Sequence, residues 1–528
     1  MDEIKQLEKL FNKGMITRRQ FIKRASALGL TAAVSPALLE RRVLASTPKR
    51  GGKVRAAHLS QSPADTLDPA MANGGIDFCR VMQFYNPLVW VSQNLEPIPE
   101  LAESWDASPD AKIWHFMLRK GIQFSNGKNF VASDVVYSLS RLIAEGSKSP
   151  GKTIFSDVKE ISPDGKHIVK IVLKNANADF PVLLSTWQAA VLPDGFTDFN
   201  NPVGTGPFLL KEFKPGIRSI ATRKPDYWKE GKPYIEELEW FGISDNVARA
   251  HALLAGDIQV MSLLDFQLLR QFEKTAGVKP LSNKAGQFSN FVMMCDREPT
   301  NDYDIRMGFK YLIDREKVVK SIYKNYGMVG NDHPISPIDR FYCDTLPIRT
   351  YDPDKAKYHF KKAGAEKFSI DLHTSDAAGT GTLEQALMLQ QSAAQIGVKI
   401  NIKRAPSDGY WSSVWMKFPF FMGGWNMRPT CDMMLSTVFT SDAPWNESGY
   451  KSEIFDKLLL EAKGELDERK RQELYCEAQR MIRDDGGVIV PAFYDYIDAI
   501  SDKIKGFEPC PLANLGGLKF HETIWIDS

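Results

Sequence analysis

Short runs rich in Val and Ile alternate along this chain with stretches whose apolar residues recur every three or four positions, and that alternation restricts it to a mixed α/β architecture. Ile168–Leu173 (IVKIVL), Phe368–Leu372 (FSIDL) and Val398–Ile402 (VKINI) read as strands. Ser133–Leu142 reads as a helix opened by a Ser-Asp capping signal, and Leu383–Ile396 as one ended by Gly397. Ile454–Ile482 continues the helical period with a break near Gly464. At 528 residues the chain has room for about three domains and a large core.

The first 45 residues read as an address. Arg18 and Arg19 precede Phe21, Ile22 and Lys23, and the run Ala25–Leu39 that follows carries no charge. Fifteen residues fall short of the roughly 20 that span a bilayer, so removal is expected rather than anchoring, with cleavage before Ser46. Thr17 to Lys23 resembles a twin-arginine export signal, which implies the twin-arginine translocase as a partner and the periplasm as destination. Without residues 1–45, nine of the 67 basic and four of the 65 acidic residues go, leaving 58 against 61 and a net charge of −3. Such a balance lacks the basic excess a nucleic-acid surface needs.

Six cysteines, Cys79, Cys295, Cys343, Cys431, Cys476 and Cys510, are too widely spaced for a zinc site or a redox dithiol, and their 15 pairings stay open. Eight histidines stand singly, with no G-x-S-x-G, H-E-x-x-H, P-loop or dinucleotide fingerprint, so binding rather than catalysis is expected and no cofactor or metal is implied. A hydrolase would need a nucleophile with a base in reach. Asn126-Gly127 signals a type I′ hairpin, Gly204, Gly206 and Pro207 a tight turn, and Trp105, Trp114 and Trp228 packing aromatics.

Ordered blocks carry a more specific signal. Thr66-Leu67-Asp68-Pro69, Tyr85-Asn86-Pro87-Leu88, Pro99 to Trp105, Leu118 to Gly127, Pro202 to Phe208, Pro225-Asp226-Tyr227-Trp228 and Tyr351-Asp352-Pro353 stand in that order. Together they resemble the extracytoplasmic solute-binding proteins, family 5, that serve ABC importers for peptides, nickel complexes and opines. The resemblance implies an α/β two-lobed periplasmic binding protein fold, type II, cluster C, with an extra subdomain in the first lobe. It places that subdomain near 86–195, the first lobe at 46–285 plus 493–528, and the second at 286–492. Crossings are expected near Asn290–Met294 and Val490–Phe493.

It also implies a monomeric receptor that hands a peptide or peptide-like solute to a permease and ATPase, with a metal chelate or haem as the alternative ligand. Met293, Met294, Met433 and Met434 would be soft ligands in that case, although adjacent Met pairs are more often core. The implied ligand-binding set is Tyr85, Tyr410, Trp411, Trp425, Arg428 and Asp432, with Trp415 in the same aromatic stretch. In peptide binders of the family a Gly-Trp pair is followed three residues later by an aspartate that holds the ligand's ammonium. Here Gly424-Trp425 is followed by Arg428, which repels an ammonium and suits a carboxylate. Two alternatives stay open: Asp432 takes the ammonium role, or Arg428 and Asp432 simply pair.

Overall fold

Sixteen consecutive residues, Val278–Met293, form a strand that belongs to both halves of the molecule. In this computed structural model residues 47–527 are described, and the segment read as an export signal, with Arg18 and Arg19, lies outside the described residues. Arg50–Ile526 forms one unit. Its main sheet runs Lys399–Arg404, Ser369–Thr374, Phe420–Trp425, Val278–Met293, Ala492–Ser501, Val260–Met261, Lys53–His58, Glu237–Gly242, Arg218–Arg223 and Phe208–Lys214. The first three strands serve the second lobe and those from Val260–Met261 onward the first, while Val278–Met293 and Ala492–Ser501 run through both: Ala492–Tyr494 pack in the second lobe and Ile497–Ile500 in the first.

Pairing changes partner within the long strand. Val278 to Asn283 oppose Ser501 to Tyr496, and pairing resumes with Gln287 opposite Tyr494, so that 284–286 face Asp495 alone. From Phe288 to Met293 the strand also pairs with Trp425 to Phe420. Polar side chains settle the break, with the Ser282 hydroxyl and the Lys284 ammonium both donating to the buried Asp495 carboxylate. Asn290 and Met293, at the expected crossing, instead lie inside the second lobe, opposite Gly423 and Phe420. The ladder is unbroken there and broken at 284–286.

The second lobe buries Phe291, Met293, Leu372, Ile400 and Phe420 against helices Tyr303–Leu312, Pro353–Lys362 and Thr382–Gln395. Asp302 and Asp352 cap two of these, their carboxylates accepting from the Ile305 and Lys355 amides. A four-stranded sheet of Ala102–Ala107, Ile113–Leu118, Ile168–Leu173 and Val158–Pro163 forms the subdomain of the first lobe, around Trp114, Phe116, Val169 and Ile171. Trp105 packs on this core, and Trp228 donates its indole N–H to Asn86.

The strands expected at 368 and 398 start one residue later, at Ser369 and Lys399, and the long helical period divides into Glu453–Gly464 and Glu468–Asp485, the second capped by Asp467. Three local readings need correction. Helix Ala132–Ile143 starts before Ser133, which is exposed, and its first turn is closed by Asp134, whose carboxylate accepts from the Val131 amide. At Asn126-Gly127 the Gly127 amide donates to Phe124 and only Gly127 has positive φ, so the turn is Phe124–Gly127 with a glycine bulge after it rather than type I′. Gly204 and Gly206 serve close approach, since a Cβ on either would lie 1.9 or 2.4 Å from the Phe84 backbone. Cys343 and Cys476 form a disulfide, while Cys79, Cys295, Cys431 and Cys510 are free.

Candidate functional site

A cavity of about 1320 Å³ opens between the lobes, floored at the register break by Gln287, Tyr494 and Tyr496. Its first-lobe wall includes His58, Ser60, the stacked pair Phe78 and Trp187, and the loop Leu263–Phe266. On the second-lobe side stand Asn426 to Pro429, Met433, Thr437 and Trp445. Apolar and aromatic surface with a few convergent polar groups is the usual make-up of a small-molecule site. Gly286, in the break, lets the floor approach the second-lobe wall, since a Cβ there would meet Met427 Sδ at 2.9 Å.

Beside the main cavity lies a niche of about 330 Å³ lined by Trp411, Trp415, Gly424, Trp425, Asn426, Arg428 and Trp445. Glu447, absent from every sequence expectation, fixes this wall. Its buried carboxylate accepts from Trp415 Nε1 at 2.7 Å, Trp425 Nε1 at 2.9 Å and Asn290 Nδ2 at 2.8 Å. Burial raises its pKa, and the three N–H donors work against that shift. Gly423 leaves room for the carboxylate, since a Cβ there would lie 2.9 Å from Glu447.

Arg428 lines both spaces, its guanidinium 5.5 Å from the Trp425 ring centroid. Burial lowers its pKa, opposed by Tyr496. Among the described residues it makes no ion pair; Asp432 is not its partner and instead accepts from Ser436 Oγ on the buried side of helix Cys431–Phe439. Burial pushes the Asp432 carboxyl up to about 6, with Lys463 opposing and Asp179 and Asp157 adding to the rise.

The structure therefore brings Trp411, Trp415, Trp425 and Arg428 together at the cleft and places Tyr85, Tyr410 and Asp432 away from its lining. Tyr410 is fully buried, donating its hydroxyl to the Met422 carbonyl. Tyr85 lies in the first-lobe core beside Gly204. Met293, Met294 and Met434 are core residues, whereas Met427 and Met433 line the cavity. Sequence reasoning missed Phe78, Trp187, Tyr494 and Tyr496, which no local signal separates from ordinary packing aromatics.

One nucleophile and base do meet in the wall. Ser60 Oγ lies 2.9 Å from His58 Nδ1, and the Ser60 amide donates to the same nitrogen. That nitrogen is therefore an acceptor, and burial together with Arg249 and Arg80 pushes the imidazole down to about 3. Such a ring is a poor base at neutral pH.

Residues 96–447 match the family described as bacterial extracellular solute-binding proteins, family 5 Middle. The dipeptide-binding protein of Escherichia coli K12 is 27% identical over 504 residues, covering 86% of this chain and 92% of that one. The glutathione-binding protein GsiB of Salmonella choleraesuis is 25% identical over 511 residues, 92% of this chain and 96% of that one. Among solved structures, the periplasmic binding protein DppA of Helicobacter pylori in complex with the peptide STSA superposes with a TM-score of 0.73 at 24% identity, covering 91% of this chain and 99% of that one. With a family match across most of its length and a cleft between two lobes that share a strand, this chain belongs to the bacterial extracellular solute-binding proteins, family 5.

Proposed function

We propose that the chain captures a peptide or peptide-like solute between its lobes and delivers it to a membrane permease driven by an ATPase. The observation that carries this is the cavity's construction: its walls come from separate lobes, and its floor lies where the pairing of the shared strand with Ala492–Ser501 shifts register. A ligand that touches both walls favours the closed arrangement over the open one, and a transporter can read that difference. Relatives named for dipeptides and glutathione support the ligand class. Rotation is assigned to 284–286 and Tyr494–Tyr496, and the residues that meet solute to Trp411, Trp425 and Arg428. Arg18 and Arg19 direct twin-arginine export to the periplasm, where the protein acts as a monomer. Catalysis has no part in this proposal, because the His58 imidazole beside Ser60 is too weak a base to activate it.

Met427 and Met433 on the wall give capture of a metal chelate a second footing. One experiment decides between the two. Thermal unfolding of the chain from Ser46 is followed with peptides, opines and metal chelates in turn. Since a ligand bound to the native state alone raises its midpoint by mass action, peptides are expected to raise it by several degrees. A rise with chelates alone overturns the peptide proposal.

A further inference from the structure

The niche beside the main cavity is built more rigidly than a surface hollow needs to be. Two of its four indoles, Trp415 and Trp425, are held by one buried carboxylate, Glu447, whose side-chain hydrogen bonds among the described residues go to them and to Asn290. The other two, Trp411 and Trp445, leave 45% and 49% of their surfaces exposed, an unusual amount of bare aromatic area for a wall that has nothing to bind. Its volume, about 330 Å³, equals that of roughly eleven liquid waters at about 30 Å³ each, which suits a one- or two-ring side chain.

Charge fixes what that side chain must be attached to. A ring of indole faces alone would attract a cation. Here, however, the mouth is shared with Arg428, which carries no ion pair among the described residues and lies against Trp425. A second cation would meet a like charge there, while a carboxylate would meet a planar fork able to donate two parallel N–H bonds to it. Burial has already removed part of the water that would otherwise satisfy the guanidinium.

We propose that niche and arginine act together as a subsite for an aromatic group borne next to a carboxylate, such as the C-terminal aromatic residue of a peptide. This rests on the cleft being the solute site and adds the ligand's end group to it.

Isothermal titration calorimetry of the chain from Ser46 tests the subsite with four probes: Ala-Ala-Phe, its C-terminal amide, Ala-Ala-Ala, and 3-(2-naphthyl)propionate. Ala-Ala-Phe is expected to bind about tenfold or more tightly than both the amide and Ala-Ala-Ala. In Arg428→Ala the preference for acid over amide falls to near one. In Trp411→Ala and in Trp445→Ala, both on exposed positions, the preference for Phe over Ala falls while that for acid over amide persists. If the amide binds as tightly as the acid, or Ala-Ala-Ala as tightly as Ala-Ala-Phe, the subsite is refuted and the peptide function stands. If naphthylpropionate binds with the same dependence on Arg428 and Trp411 while no peptide binds, the subsite stands and the peptide function falls. Binding of none of the four overturns the subsite.

Discussion

Lys463, at the end of a second-lobe helix, donates to Asp157 of the first-lobe subdomain at 2.7 Å. Around this contact the Ala178 amide donates to the Lys463 carbonyl, and the end of the helix needs Gly464, where a Cβ would lie 2.9 Å from Ala176. Nearby, Asp179 pairs with Arg340 and, at 3.1 Å, with Arg471. Asp179 and Arg471 are almost wholly buried, so this clasp is a desolvated connection between the lobes rather than a surface ion pair.

Removing Asp179 leaves the buried Arg471 with only the exposed Glu468, 3.9 Å away, a loss of up to roughly 3–5 kcal/mol. Since the contact joins the lobes, Asp179→Ala is expected to favour separation. Small-angle scattering of the ligand-free protein should give a larger radius of gyration than wild type, restored by saturating ligand. A profile identical to wild type would show that the clasp does not hold the lobes.

Asp498 gives the stability a definite pH dependence. Its buried carboxylate accepts from the amides of Leu263 at 3.1 Å and Leu515 at 2.6 Å, two non-glycine residues with φ of 51° and 52°. Burial pushes its pKa up to about 7, against those two amides. A carboxyl whose folded pKa lies above the unfolded 3.8 contributes stability that is fully present below pH 4 and lost as pH rises through 7. Between those limits wild type should lose roughly 4 kcal/mol relative to Asp498→Asn. Denaturant midpoints at pH 4, 5.5 and 7.5 measure it, and a constant difference between the two proteins would refute it.

Cys343 and Cys476 lie 133 residues apart, and their bond closes a long loop of the unfolded second lobe. Replacing both by Ser is expected to lower unfolding stability by about 2–5 kcal/mol. Reduction of wild type should lower it equally while leaving the double variant unaffected. Equal stability of the two proteins under oxidising conditions would place the stabilisation elsewhere.

If export follows the proposed twin-arginine route, Arg18→Lys together with Arg19→Lys should abolish it. Fractionation of cells expressing the variant should find the precursor inside. Processed protein in the periplasm would point to a different export route.

Local periodicity made the elements legible, because burial on one face imposes a spacing that survives in the letters. Ile168–Leu173 and the helix ended by Gly397 are examples. Trp425 and Arg428 were legible as cleft residues because a motif surrounds them. Tyr85 and Tyr410 were not placed correctly at the cleft, since an aromatic side chain reads alike whether it faces core or cavity. Glu447 was invisible for a different reason. Its role exists only once Asn290, Trp415 and Trp425, up to 157 residues away in sequence, converge on it. The same holds for Asp179, whose partners Arg340 and Arg471 are drawn from separate segments of the other lobe.

The strand shared by the lobes makes residue count at 284–286 part of the binding site. Side chains alternate across a sheet, so one residue inserted or deleted there would send Phe288, Asn290 and Val292 to the face now occupied by Ser289, Phe291 and Met293. Asn290 would then turn away from Glu447, and the indoles it helps to hold would lose their anchor. Loops that do not line the cleft can lengthen or shorten through evolutionary time without touching it, whereas this segment works as a ruler, and a single-codon insertion in it would disarm a tryptophan wall to which it contributes no side chain.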